Sequence, residues 1–365
     1  MSAYIIFIVF IIIEWILLFP NHKIIFGSNI SYRQKKLFLT IVCIEMICFA
    51  GLRNTNLGAD INTYLSGLEY YSSLPHREIL GAELVWPFDF ETGYFWLTKS
   101  AAWMSLNETE FLFLIAVLTY IPVFIFILKY SENPLISVLT YFTFSFFEYS
   151  FGIFRQMIAL SIVLVGTKYI IDRKLIKYIV TIVLAMTFHT TSIIMLPFYW
   201  IYRLDFEKKL NFIFIVEIIC LFCARPLIIL STIIFPKYVN YINGHYDIQG
   251  GSYLMLILFN IILIVSCSIA QKEENKDNVI LRMSINATVI AVLLQILGYS
   301  MQIFGRIVSY YSIYLLLLIP ILMNRCLKKN IIFIYFLMII ILIVLFYLQA
   351  KISILNPYNT IFDKI

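Results

Sequence analysis

Arg53, Gly58, Asp60 and Tyr64 stand in the order R-x4-G-x-D-x3-Y within a polar stretch, 53–71, of an otherwise hydrophobic chain. A planar guanidinium at the end of an apolar run suits a lipid-linked phosphate or diphosphate. The plainer reading of Arg53 is a helix-end anchor that snorkels to the headgroups. Glu91-Thr92-Gly93-Tyr94 follows. Its carboxylate suits a general base or a ligand for a sugar hydroxyl, with Trp86 and Tyr94 as stacking faces. The alternative is a charge that simply favours the start of a helix.

Arg155-Gln156 interrupts an apolar stretch, 142–164, that is otherwise broken only by Glu148 and Gly152. A cation in such a setting is costly unless it meets a partner or a wet cavity, so Arg155 is the most informative arginine of the chain. A structural ion pair with Glu148 is the competing explanation. His189 sits in AMTFHTTSIIMLP, flanked by hydroxyls and followed by Pro197. A lone histidine of this kind is either a hydrogen-bonded core residue or a proton acceptor placed in a helix break. Arg306 and Tyr310 open a later apolar run, and Arg225-Pro226 is expected to break the run around it. Glu14, Glu45 and Glu217 lie inside apolar runs with no sequence partner and stay unassigned.

These residues must be held by membrane helices. The chain is 62% hydrophobic, 17% aromatic and only 13% charged, against roughly 45–50% apolar and 25% charged in soluble domains. Its 365 residues hold on the order of ten helices of about 20 residues each. Candidate spans are 4–19, 37–52, 111–128, 135–151, 154–171, 175–202, 210–235, 253–270, 279–299, 304–323 and 331–350. The expected fold is all-α and polytopic, a single integral domain over 1–365 with about 10–12 spans. The first run lacks a basic leader and a small-residue cleavage site and is expected to be a retained span. The six cysteines fall within or at the ends of apolar runs and read as small hydrophobes. The net charge of +6 concentrates in short linkers, which points to a membrane topology signal and away from a nucleic-acid partner.

The basic linkers at 23–36, 168–177, 203–209 and 325–329 are expected on the cytoplasmic side. Parity is satisfied if 175–202 is a helical hairpin or re-entrant loop turning near His189-Thr190-Thr191-Ser192 and if 93–106 lies on the outer surface. Both chain ends then face outward. A long loop, 53–92, and a shorter one, 236–252, fall on that same outer side, together with Glu91, Arg155, His189 and Arg306. Walker A, GxGxxG, HExxH, GxSxG and Asp-x-Asp patterns are absent from the sequence, which argues against a motor, a nucleotide-dependent transferase or a conventional hydrolase.

Taken in order, Arg53…Gly58-x-Asp60…Tyr64, Glu91-x-Gly93-Tyr94, Arg155-Gln156, Phe188-His189 with its hydroxyls and proline, and Arg306…Tyr310 resemble the EpsG-like family, which includes Wzy-type polymerases of O-antigen and other bacterial surface polysaccharides. The resemblance spans about residues 40–315. It implies a multi-pass inner-membrane glycosyltransferase of polysaccharide or lipopolysaccharide biosynthesis, independent of nucleotide and metal and without a cofactor. Its substrate would be an undecaprenyl-diphosphate-linked oligosaccharide, and a chain-length regulator would be a second membrane partner. The growing glycan would pass to the non-reducing end of another lipid-linked repeat unit. Such chemistry needs donors for the departing diphosphate and a base for the acceptor hydroxyl. Arg155 and Arg306, with Arg53, Gln156 and Tyr310 in support, are expected in substrate binding, and Asp60, Glu91 or His189 in the catalytic role, unranked. The competing classes are a flippase for the lipid-linked unit and a ligase that moves finished polymer to lipid A.

Overall fold

The computed structural model describes residues 2–19, 30–83, 89–234, 239, 253–272, 278–301, 304–326, 331–350 and 358–362. The second predicted loop and Trp86 therefore lie outside the described residues, apart from Val239. Among the described residues the regular structure is helical, so the chain is an all-α polytopic membrane protein. Five described helices are long and apolar enough to cross a bilayer: Glu108–Tyr130, Phe154–Ile171, Leu210–Leu230, Tyr253–Ala270 and Val279–Ser300. A sixth span is made if Phe304–Ser312 and Leu315–Arg325, bent by 51°, count as one. Shorter apolar helices account for much of the remainder.

The chain divides into two compact units, 1–196 with 329–365, and 197–328. In the first, α1 (Ser2–Leu18) and α2 (Tyr32–Gly51) are joined by ring contacts, Phe7 stacking on Phe49 at 4.7 Å and Trp15 meeting Phe38 edge-on at 4.8 Å. Glu14 and Glu45, without partners in sequence, lie close to each other across this pair. The predicted loop 53–92 includes a helical cap. It forms α3 (Ile61–Ser72) and α4 (His76–Ile79), leading to α5 (Thr92–Trp103). Ile61, Tyr64, Leu68, Tyr71 and Tyr94 of this cap share one apolar core with Phe111 and Leu112 of α6 (Glu108–Tyr130) and with Phe154 and Ile158. Burying such side chains at about 1.5–3 kcal/mol each is what holds the cap to the membrane helices.

Lys99 shows how tightly the cap closes. The sequence puts this charge in the middle of a surface helix, yet the residue is buried, its ammonium donating to the Leu80 and Ala82 carbonyls at 2.6 Å each and lying over the Phe95 and Trp96 rings. Trp96 and Trp103 of α5 remain partly exposed, as aromatic rings at a membrane interface do.

The predicted span 135–151 is broken into α7 (Pro134–Thr143) and α8 (Phe146–Gly152) by Ser145, whose φ is 61°. A second break at Ile153 separates α8 from α9 (Phe154–Ile171), which carries Arg155 and Gln156. The predicted hairpin over 175–202 is a helix, α10 (Leu175–Phe188), followed by a 3-10 turn, Thr190–Met195. The Tyr178 hydroxyl donates to the Met195 carbonyl at 2.6 Å. Ten residues of helix rise about 15 Å, so this bond shows the chain after His189 running back along α10. Within the unit, a C-terminal helix, Ile331–Ala350, packs on α7 through the Thr143 hydroxyl, which donates to the Leu342 carbonyl at 3.0 Å.

The second unit begins with a short helix, α11 (Phe198–Ile201), and contains α12 (Leu210–Ile234), α13 (Tyr253–Ala270), α14 (Val279–Ser300), α15 (Phe304–Ser312) and α16 (Leu315–Cys326). The expected break at Arg225-Pro226 does not occur, and α12 runs through Pro226. The Asn286 amide donates to the Ile201 and Leu204 carbonyls at 2.8 Å each, and Arg282 pairs with Asp205 and Glu207. These contacts tie α14 to the 202–209 turn. Long apolar faces of α12 and α13, including Phe222, are exposed, as lipid-facing helices require.

Candidate active site

Two close backbone approaches build the site. Gly58 has a φ of +141°, and a Cβ there would stand 2.1 Å from the Phe151 carbonyl oxygen. Only glycine fits. The 53–60 segment is thereby pressed on the end of α8, just before the break that orients Arg155. Gly93 makes the second approach: a Cβ would meet the Thr187 hydroxyl at 2.5 Å and its carbonyl oxygen at 2.9 Å. The start of α5 is thus brought against the end of α10, and Glu91 against His189.

Arg53 fastens the first contact. Its Nη1 donates to the Ala50 carbonyl at 2.8 Å and its Nη2 to the Phe151 carbonyl at 3.1 Å, with the Phe151 ring 4.3 Å away. Both acceptors belong to last turns, of α2 and of α8, where carbonyls lack helical partners and a cation is favoured. The residue is 1% exposed. Expected at a diphosphate, Arg53 is instead spent on two backbone oxygens. The chain end supports the same strip: Asn54 N–H donates to the Asn359 carbonyl, Ile361 N–H to that of Leu52, and Tyr358 stacks on Phe49 at 4.1 Å.

Glu91 is the N-cap residue of α5, yet its side chain makes no capping bond. It reaches across to two other elements. Oε2 accepts from Arg155 Nη1 at 2.6 Å. Oε1 lies 3.0 Å from His189 Nδ1 and accepts from the Thr190 N–H at 3.2 Å and the Thr190 hydroxyl at 3.4 Å. Arg155 Nη1 also donates to the Asp89 carbonyl at 2.9 Å, and the guanidinium lies over the Tyr64 and Phe90 rings. Its ion pair is thus made with Glu91, 64 positions away. Tyr64 stacks on Phe154 at 4.7 Å and packs with Tyr94 at 5.2 Å, walling the cluster with aromatic surface.

Burial alone would raise the Glu91 carboxyl. The His189 hydrogen bond and the Arg155 charge outweigh it and hold the group at about 2, so it is ionised at neutral pH. A carboxylate only accepts, which assigns the proton between Glu91 and His189 to Nδ1. In its neutral form, an imidazole with Nδ1 so engaged carries its lone pair on Nε2. His189 has extended backbone, φ −155° and ψ 115°, between α10 and the 3-10 turn. Thr187 returns its hydroxyl to the Leu184 carbonyl in the last turn of α10.

The structure therefore brings together Glu91, Arg155 and His189 of the predicted site residues. Asp60 opens α3 one turn before Tyr64, whose N–H donates to the Asp60 carbonyl at 3.4 Å. Gln156 is buried beside Arg155 on α9. Arg306 and Tyr310 lie on α15 of the second unit. Thr190 was not singled out by its sequence, although its place after His189 in a run of hydroxyls was the available signal. The Asp89 carbonyl had none, because a backbone acceptor has no residue-type signature.

The sequence model of the EpsG family matches residues 36–360. This chain belongs to the EpsG family. No curated protein and no solved structure matches it. The EpsG match takes in both compact units and every site residue named above, and it points to a membrane glycosyltransferase of polymerase-like function.

Proposed function

We propose that this protein is a bacterial surface-polysaccharide polymerase of the inner membrane, of the O-antigen type. It would transfer the growing glycan from undecaprenyl diphosphate to the non-reducing-end sugar of another lipid-linked repeat unit, on the periplasmic side. EpsG membership supports the class. The observation that carries the reading is one carboxylate joining an imidazole and a guanidinium beside apolar helices. Glycosyl transfer from a diphosphate needs a proton acceptor for the incoming hydroxyl and a positive environment for the departing oxygen. Both group types are present within one cluster.

A transporter of the same lipid-linked unit is the second reading, favoured by the Glu14–Glu45 carboxyl pair between α1 and α2. Arg155→Ala, expressed in place of the wild type in the source bacterium, separates the two. The polymerase reading expects the protein in the membrane fraction and long-chain surface polysaccharide reduced to a single repeat unit on a gel. Loss of all glycan at the outer face indicates transport. Finished polymer held on the carrier indicates ligation. Unchanged chain length removes Arg155 from the reaction.

A further inference from the structure

We infer a division of labour within the cluster: His189 Nε2 takes the proton of the acceptor hydroxyl, Glu91 orients the imidazole, and Arg155 with Thr190 holds Glu91. This inference rests on the polymerase reading and deepens it by ranking candidates that the sequence leaves equal.

Hydrogen-bond capacity decides between Glu91 and His189. A carboxylate offers about four lone-pair positions. Glu91 already faces four donors: Arg155 Nη1 at Oε2, and His189 Nδ1, Thr190 N–H and the Thr190 hydroxyl at Oε1. Three of them crowd Oε1, and Oε2 is held by the Arg155 guanidinium, so the proton affinity of this carboxyl is low, at about 2, and it is a poor acceptor for a sugar hydroxyl's proton. His189 spends only Nδ1 on Glu91, and its side chain keeps 20% of its exposure. Nε2 is the ring atom with a lone pair to offer. An imidazole whose far nitrogen is fixed by a carboxylate has its tautomer and ring plane set, and the imidazolium formed on proton uptake is balanced by the same carboxylate.

The step balances without a further reagent. The acceptor O–H proton passes to Nε2, and the acceptor oxygen bonds to the anomeric carbon of the donor glycan. The bond from that carbon to the carrier diphosphate breaks, its electron pair leaving on the diphosphate oxygen. The imidazolium then returns its proton to the released diphosphate or to water.

The test uses the full-length protein in liposomes of phosphatidylethanolamine and phosphatidylglycerol. The substrate is undecaprenyl-diphosphate-linked repeat unit extracted from a polymerase-deletion strain of the source bacterium, and products are read as a gel ladder. His189→Ala is expected to lower the rate at least about 100-fold, and added imidazole to restore it at least about tenfold. Glu91→Gln is expected to lower kcat roughly 10–100-fold with the acceptor KM within about twofold, and the double variant to fall no further than His189→Ala alone. A His189→Ala rate within about threefold of wild type overturns the inference. So does a loss that imidazole leaves unrestored in a variant that elutes as monodispersely as wild type. A wild type that makes no ladder overturns the polymerase reading itself, and this inference with it.

Discussion

Arg53 and Arg155 are set at helix ends on either side of the same break, and they do opposite things. Arg53 is fully buried and gives its guanidinium to the last-turn carbonyls of α2 and α8. Arg155, two residues past the break, pairs with a carboxylate that also grips a histidine, and its side chain keeps 26% of its exposure. The difference lies in the acceptor each meets. Carbonyls orphaned at helix ends make an arginine a fastener, whereas a carboxylate shared with an imidazole makes it part of a proton-handling group. Removing the first should cost stability; disturbing the second should change rate and pH response.

Gly58→Ala attacks the fastening side and should have the largest effect. It combines a conformation restricted to glycine, worth about 1–3 kcal/mol, with overpacking against the Phe151 carbonyl, worth about 1–3 kcal/mol more. Thermal unfolding in detergent should show a loss of about 4 kcal/mol in total. An unchanged midpoint would mean that the segment does not need its close approach to α8.

Glu91→Gln attacks the other side and should be distinguished by pH. The folded carboxyl is held at about 2 against an ordinary value of 4.5. A depressed folded value contributes stability that is complete above pH 4.5 and is lost as the pH falls through 2. The variant should therefore be less stable than wild type by about 3 kcal/mol at pH 7, with the gap closing between pH 4.5 and 2. A gap independent of pH across that window would break the comparison, because it would make Glu91 a packing residue.

Thr190→Val should be the mildest of the three. It removes the 3.4 Å hydroxyl bond to Glu91 and keeps the Thr190 N–H bond, so a cost of about 0.5–1 kcal/mol is expected. A measured loss as large as that of Glu91→Gln would show that the hydroxyl, and not Arg155 or His189, is what holds the carboxylate.

Parts of this architecture were legible before any coordinates. A composition too apolar for water dictated helices, since a bilayer leaves backbone groups no other partner. The break at His189 was readable from a cluster of hydroxyls followed by a proline. The cap was not: residues 53–92 look like a loop because α3 and α4 are short and polar on one side, and only packing against α6 and α9 makes them a layer. Lys99 misled for the same reason, as the carbonyls that receive its charge lie 17 and 19 positions back along the chain.

By itself the sequence determined the solvent of this protein, its helical class, and a short set of charged residues too costly to be idle. Tertiary structure alone decided which of them work together. Glu91 meets Arg155 and His189 across 64 and 98 positions, and the register of such contacts depends on how whole helices pack. Local propensity is blind to that register, which is why two similar arginines near one break could be told apart only by the acceptors facing them.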